Sequence, residues 1–179
     1  IPFDDEFEDQ ERVSYEETLV YERRVFQGLI LGGSADFSQN DYAAGERDDT
    51  SLQDFSFFLR GSRGAGAPIT EMTRFYAAVG YAYAADSSDA RNLDDETATV
   101  SGRAEIETEL RRDMKHSLSY SRGIRRGFES DFEEYDNVRY QLGWNRAGRA
   151  LGLFAEYSRS DPRGEEVNSY TDTTYGING

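Results

Sequence analysis

Residue types that carry much of protein chemistry are scarce in this chain of 179 residues. It has no cysteine, one histidine and three prolines. Without cysteine it can form no disulfide, no thiolate nucleophile and no cysteine-ligated zinc site. Lys and Arg number only 20 against 35 Asp and Glu, so the net charge is −15. Nucleic acid is therefore not an expected partner, because binding phosphate backbones needs a basic surface.

Apolar residues are also few, but aromatic residues are not. Hydrophobic types make up 37% of the chain, a polarity that would normally suggest disorder. Aromatic residues nevertheless reach 13%, with 12 Tyr and 11 Phe. High polarity with many rings is typical of a transmembrane β-barrel, whose strands need apolar side chains on one face only.

The hydrophobic pattern has a period of two. Residues 97–110 alternate strictly between small or apolar side chains at even positions and polar side chains at odd positions. Alternation over this length predicts one continuous strand with two unlike faces. It exceeds the usual strand of about 5–6 residues and suffices for a membrane-spanning strand of about 9–11.

The same alternation recurs along the chain. Clear strands are predicted at 28–38, 74–84, 138–145 and 151–158, and weaker ones at 13–22, 52–60, 116–125 and 167–177. With 97–110 this gives about nine strands at hairpin spacing. The predicted fold is therefore all-β, an antiparallel up-and-down transmembrane β-barrel.

The predicted connections alternate in length and in charge. Short, Arg- and Lys-rich turns are expected near Arg23–Arg24, Ser62–Pro68, Arg112–Lys115 and Arg146–Arg149. Long, acidic loops are expected at Asn40–Thr50, Asp86–Glu96, Phe128–Asn137 and Ser160–Glu166. Outer-membrane barrels combine short periplasmic turns with longer extracellular loops. Residues 1–11 are predicted as one more acidic loop or tail, and 12–179 as strands of a segment from a larger barrel.

This fold assigns a location to each strand face. The polar residues predicted to line the pore are Arg103, Glu105, Glu107, Glu109, Arg139, Gln141 and Glu156. The apolar residues predicted to face lipid are Val100, Ile106, Leu110, Leu142, Trp144, Leu153 and Tyr157. Arg122 fits this scheme poorly, because it shares a predicted lipid face with Leu118 and Tyr120. It is expected near the rim, or beside a bulge that shifts the register.

Residues that suggest catalysis have structural interpretations that fit better. His116 lacks partners for a triad or a zinc site and is expected in a surface turn. Glu105, Glu107 and Glu109 resemble glycosidase carboxylates, but a polar lumen wall explains their alternation better. The glycine-rich segment 60–68 lies between two predicted strands, whereas a phosphate loop leads into a helix. No catalytic residue and no cofactor is predicted.

The acidic loops raise the question of calcium. Asp48–Asp49, Asp94–Glu96 and Glu133–Glu134 offer carboxylate oxygens, which calcium prefers. None of the three has the regular spacing of an EF-hand loop. Solvated loops, or loops in contact with cation-bridged lipopolysaccharide, are the expected structures, and no metal site is predicted.

Residues 116–162 resemble the repeated hairpins of the Gram-negative β-barrel porins associated with exopolysaccharide secretion. The shared features are an acidic loop ending in Glu134–Tyr135–Asp136, a strand of alternating aromatics, a short Arg-containing turn and a further strand. The resemblance implies an outer-membrane channel for export of a polysaccharide. Implied partners are membrane lipid, lipopolysaccharide, and periplasmic export proteins or other barrel subunits.

Two alternatives remain open from the sequence. The barrel could be the sheath of a multiprotein outer-membrane complex such as an electron conduit; the chain has no cysteine with which to attach haem. It could instead be a soluble, acidic β-sandwich that binds glycan or calcium, since sandwich strands also alternate. Sandwich strands are usually shorter, and their connections do not alternate in this way.

Overall fold

A computed structural model describes residues 12–42, 50–64, 67–86, 97–126, 132–147, 149–163 and 169–178. The strands are β1 Arg12–Phe26, β2 Leu29–Tyr42, β3 Thr50–Gly61, β4 Thr73–Asp86, β5 Thr97–Arg111, β6 Met114–Arg126, β7 Phe132–Arg146, β8 Arg149–Arg163 and β9 Tyr170–Asn178. Each predicted strand is confirmed over its described residues, and β5 is the continuous strand expected at 97–110. No helix in the described ranges is long and apolar enough to cross a membrane.

The nine strands form one antiparallel sheet in sequence order. Every strand pairs with the next, so the up-and-down topology is confirmed. No described ladder joins β9 to β1, and the sheet is open. Each of these two edge strands therefore has backbone partners on one side only.

The strands extend further into the predicted acidic loops than the apolar pattern indicates. The loops predicted at Phe128–Asn137 and Ser160–Glu166 are partly wrong, because β7 already begins at Phe132 and β8 continues to Arg163. Arg125 pairs with Glu133 at 2.6 Å and Arg122 with Glu134 at 3.4 Å. Cross-strand pairs of opposite charge stabilise a ladder, so acidic residues are retained in the strand. Residues 1–11, 43–49, 87–96, 127–131 and 164–168 lie outside the described residues.

The short connections match the predictions in two cases out of four. The turns at Arg112–Asp113 and around Ala147 lie where they were predicted. The turn predicted at Arg23–Arg24 is wrong, because both arginines belong to β1. The chain reverses instead at Gln27–Gly28, where Gly28 has a φ of 77°, a conformation that glycine adopts readily.

The connection between β3 and β4 is longer than the predicted Ser62–Pro68 turn. It runs from 62 to 72 and folds back on itself. The Gly64 amide donates to the Glu71 carbonyl at 3.1 Å, and the Thr73 amide to the Thr70 carbonyl at 3.0 Å. These internal hydrogen bonds replace the compact turn expected from the glycines.

Few hydrophobic side chains are buried. Ala82, Ala84, Ile124 and Phe132 form the one cluster of buried apolar residues among those described, with Leu52 packed against it. The cluster lies where the β5–β6 ladder ends, at the pair Gly102 and Arg122. Beyond that pair β6 continues with β7 alone, which lets Ile124 and Phe132 approach β4.

Arg122 thus occupies the last pair of its ladder with β5. No register shift occurs beside it, so the bulge proposed for this residue is wrong. Its position near the rim of a barrel remains a prediction. Its guanidinium lies 3.4 Å from Glu134 and 3.7 Å from Asp136 on β7. The charge is therefore balanced within the sheet.

Candidate functional site: an apolar face and a polar face

The register carries the alternation of β5 across the whole sheet. Ile106 lies opposite Phe75 and Leu118, and Val100 lies opposite Tyr81. We call this side the apolar face. Its larger members include Leu19, Tyr21, Leu31, Phe55, Phe57, Leu59, Phe75, Val79, Tyr81, Val100, Ile106, Leu118, Tyr120, Val138, Tyr140, Leu142, Trp144, Leu151, Leu153, Tyr157, Tyr175 and Ile177.

The apolar face is largely uncovered in the described structure. Among the described residues, 27 large hydrophobic side chains are exposed, most of them on this face, whereas five hydrophobic residues are buried. Val20 and Tyr170 are exposed on the polar face, and Ile69 and Met72 in the β3–β4 connection. Phe57 is 77% exposed and Ile177 74%. A soluble monomer rarely exposes contiguous apolar patches of more than a few hundred Å². A surface this broad requires an apolar medium or a partner against it.

The residues predicted to face lipid all lie on this face. Leu142 pairs with Leu153, Trp144 with Leu151, and Tyr157 with Val138. Val100, Ile106 and Leu110 follow from the alternation of β5. That lipid is what covers them remains a prediction.

The opposite side, which we call the polar face, carries a network of paired charges. Arg74 contacts Glu107 at 2.6 Å and Glu105 at 3.9 Å, and Arg103 lies 3.8 Å from Glu105. Further along the face, Arg139 lies 3.6 Å from Glu156. The residues on this face are those predicted to line the pore: Arg103, Glu105, Glu107, Glu109, Arg139, Gln141 and Glu156. Their exposure to a lumen remains a prediction.

Arg63 completes this network from outside the strands. It belongs to the 62–72 connection and forms ion pairs with both Glu107 and Glu109. The three glutamates of β5 are thus each held by at least one arginine. No pattern in the sequence predicts this role of Arg63, because it depends on the path of an irregular segment.

A second feature of the polar face is a cavity rich in hydroxyl groups. It has a volume of about 460 Å³ and is lined by five serines, at 34, 56, 101, 119 and 121. Asp36 and Asp54, directly opposite each other on β2 and β3, also line it. The two carboxylates are close together because the register of β2 and β3 pairs these residues, a register that the sequence pattern alone does not specify. The polar face is therefore built to be hydrated.

Gly80 forms part of the floor of this cavity. A methyl group there would lie 2.6 Å from the Ser101 Oγ and 2.8 Å from the Ser56 Cβ, and would also crowd the Phe55 carbonyl. We expect Gly80→Ala to lower the free energy of unfolding by about 1–3 kcal/mol, as overpacking does in other interiors. Gly102→Ala is the matched control, since only the Ala78 carbonyl lies near, at 3.8 Å. Urea titration of both variants in detergent checks this; equal stabilities would contradict the packing.

Three predictions about candidate chemistry can be placed in the structure. His116 lies inside β6, between Thr108 and Leu142, so the surface turn predicted for it is wrong. Segment 60–68 joins two strands, as expected. Glu133 and Glu134 belong to β7 and are paired with arginines, while the other two candidate calcium loops lie outside the described residues. Within the described ranges, no group of three or more His, Asp or Glu side chains could hold a metal ion.

Comparisons with known proteins gave no further identification. Neither the protein-family models, nor the curated proteins, nor the solved structures contain a match to this chain. The class defined by the fold is therefore an all-β protein with a single two-faced antiparallel sheet. Any function has to be argued from those two faces.

Proposed function

We propose that this chain forms part of the wall of a Gram-negative outer-membrane β-barrel. Its apolar face contacts lipid, and its polar face lines a water-filled channel. The observation that carries the proposal is the division of the described strands into two unlike faces; charged residues share the apolar side where Arg122, Asp136 and Arg159 pair across β6, β7 and β8. One side presents exposed apolar side chains, and the other presents paired charges and hydroxyls. A wide barrel requires this arrangement.

The strand lengths support a transmembrane position. Strands β1 to β8 have 12 to 15 residues each. A tilted strand needs about 9–11 residues to cross the hydrocarbon core. The additional residues correspond to the polar, ion-paired strand ends that lie next to the predicted loops.

The slant of the apolar face also supports it. The row of register partners that begins at Tyr21 on β1 ends at Thr171 on β9. The apolar residues of β9, Tyr175 and Ile177, lie four and six positions further along. Over eight strand-to-strand steps this shift corresponds to a strand tilt of roughly 20–30°. Tilts of about 35–45° are usual in outer-membrane barrels.

The open edges are the basis for inferring that the wall continues beyond β1 and β9. In lipid, an edge with free backbone groups costs several kcal/mol for each unsatisfied group. Nine is an odd number, so β1 and β9 run in the same direction and could close on each other only through a parallel ladder. An odd number of added strands, from the same polypeptide or from partner subunits, restores antiparallel pairing. Wide channels also need about sixteen strands, because about eight fill their own interior.

The polar face supports passage of a hydrated polymer. Serine hydroxyls and neutralised ion pairs offer hydrogen bonds without a strong trap of one charge sign. The resemblance to exopolysaccharide-associated porins implies that the transported polymer is a polysaccharide and that the channel exports it. A barrel that forms a sheath around partner proteins would have a wall with the same two faces. The sandwich alternative needs a second sheet, and the described strands form only one.

Extraction from membranes tests the proposal. We expect the chain, expressed with an export signal in a Gram-negative host, to stay in the membrane fraction through urea and alkaline washes. Detergent should then release it, because the apolar face needs an apolar environment. A soluble periplasmic protein, released by the first wash, is the control. Release of this chain without detergent would contradict the proposal.

A further inference from the structure

At its long-loop end, the polar face is covered by another part of the same sheet. Beyond the last pair of the β5–β6 ladder, β6 continues with β7 alone. The Thr99 hydroxyl on the polar face of β5 donates to the Glu134 carboxylate of β7 at 3.2 Å. Ile124 of β6 shares a buried cluster with Ala82, which lies on the polar face of β4. The ends of β6 and β7 therefore lie over the polar face of β4 and β5.

The cavity rich in hydroxyl groups lies directly beside this covered part. Successive polar-face residues of β4 are Tyr76, Ala78, Gly80 and Ala82. The small residues Ala78 and Gly80 form the floor of the cavity, and Tyr76 lies at its short-connection end. At the other end, the β6–β7 pair covers Ala82. The cavity is therefore a bounded pocket of about 460 Å³, within the range of about 300–1,000 Å³ that is usual for small-molecule sites.

Two carboxylates in this pocket lack a cationic partner. Asp36 and Asp54 form no ion pair with any residue that the structure describes, whereas the three glutamates of β5 are each held by an arginine. The Ser101 hydroxyl donates to the Asp54 carboxylate across β4, which Gly80 permits because it has no side chain. A carboxylate has about four acceptor sites, so most of the acceptor capacity of this pair remains for hydroxyl donors of a ligand.

Arg103 supplies donors to the same pocket. Its guanidinium lies 5.8 Å from the centre of the Tyr76 ring and 3.8 Å from Glu105, and its side chain is 66% exposed. A separation of 3.8 Å is too long for a hydrogen bond, so its N–H groups are available to a ligand. Phe58 packs on Tyr76 with 5.7 Å between the ring centres. The tyrosine ring is therefore a fixed wall at this end of the pocket.

We propose that this pocket binds one uncharged sugar unit of the transported polymer, an inference that rests on the channel proposed above. Asp36 and Asp54 accept hydrogen bonds from neighbouring sugar hydroxyls, and Arg103 donates to sugar oxygens, all of them charge-assisted. The C–H groups of the same unit contact Ala78 on the floor and the edge of the Tyr76 ring. An acidic sugar would bring a third carboxylate beside two unpaired ones and be repelled. An amino sugar would be repelled by Arg103.

Binding of defined hexasaccharides to the chain in detergent micelles tests the proposal. The probes are neutral hexamers of glucose, mannose and galactose, an acidic hexamer of galacturonate and a cationic hexamer of glucosamine. Saturation-transfer NMR detects contact between protein and sugar protons, and a titration gives Kd. We expect at least one neutral hexamer to bind about tenfold more tightly than the acidic hexamer, because like charges brought together oppose binding. It should also bind more tightly than the cationic hexamer.

The double variant Asp36→Asn, Asp54→Asn should weaken binding of the neutral hexamer about tenfold or more, since hydrogen bonds to charged groups are the stronger ones. The matched control Glu71→Gln, Asp172→Asn loses the same charge outside the pocket and should bind as the unmodified chain does. Arg103→Gln should also weaken binding of the neutral hexamer, whereas it would strengthen binding of a cation.

Three results would overturn the proposal. They are binding of no neutral hexamer, tighter binding of the acidic or the cationic hexamer, and an unchanged Kd in the double aspartate variant. Each of them leaves the membrane position intact, because binding is measured in detergent and the extraction experiment tests the membrane position separately.

Discussion

Arginine at position 77 should severely destabilise the membrane-inserted protein, whereas arginine at position 78 should be tolerated. Ala77 lies on the apolar face between Leu59 and Ala104, and Ala78 lies on the polar face. We expect Ala77→Arg to lower the free energy of unfolding from vesicles by about 2–4 kcal/mol, the cost of arginine on the lipid face near the midplane. Reversible unfolding in urea, followed by fluorescence, measures it.

Ala78→Arg is a close control, because the same substitution is made one residue away. Its new charge would face Arg103 directly, and a like-charge pair across strands costs at most about 1 kcal/mol. The difference between the variants should therefore remain at least about 1 kcal/mol. Equal effects, or a larger loss at position 78, would show that the faces are assigned wrongly.

The second large effect concerns ion selectivity of the channel. Changing Glu105, Glu107 and Glu109 together to Gln removes three negative charges and leaves Arg63, Arg74 and Arg103 without their partners. We expect the conductance of the assembled barrel in planar bilayers to shift clearly towards anions, because rings of charge set pore selectivity. The shift should weaken at high salt, where these charges are screened.

The reverse change is the control. Arg63→Gln, Arg74→Gln and Arg103→Gln leave the glutamates unpaired and should shift selectivity towards cations. Opposite shifts would place this network beside the ion path. Unchanged selectivity in both variants would favour a structural sheath over an open lumen.

The fold was largely predictable because alternation is a local signal. Strand β5 shows this best: its strict period of two fixed one face at Val100, Ile106 and Leu110 and the other at Glu105 and Glu107. An up-and-down order follows from hairpin spacing alone, since each strand pairs with the next. The same local signal was enough to group the candidate residues of β5, β7 and β8 by face.

Features that depend on side chains distant in sequence were not predictable. The start of β7 extends beyond the apolar pattern because Arg125 and Arg122 neutralise Glu133 and Glu134. Arg125 also donates to the Ser160 Oγ in the extension of β8, at 2.8 Å. Arg63 reaches β5 because the 62–72 connection folds back, which no periodicity records. At the β1–β2 turn, the glycine two residues after Phe26 is a better guide than the pair of arginines, because the turn needs a positive φ there.

The central claim is that one face of the sheet contacts lipid and the other contacts water, and β5 allows it to be measured most directly. The chain has no cysteine, so single cysteine substitutions can carry a spin label at 100, 101, 104, 105, 106, 107 and 110. In vesicles, labels at 100, 104, 106 and 110 should collide mainly with oxygen dissolved in lipid. Labels at 101, 105 and 107 should respond mainly to a water-soluble nickel complex. Accessibilities that alternate in the opposite phase, or that do not alternate, would contradict the account.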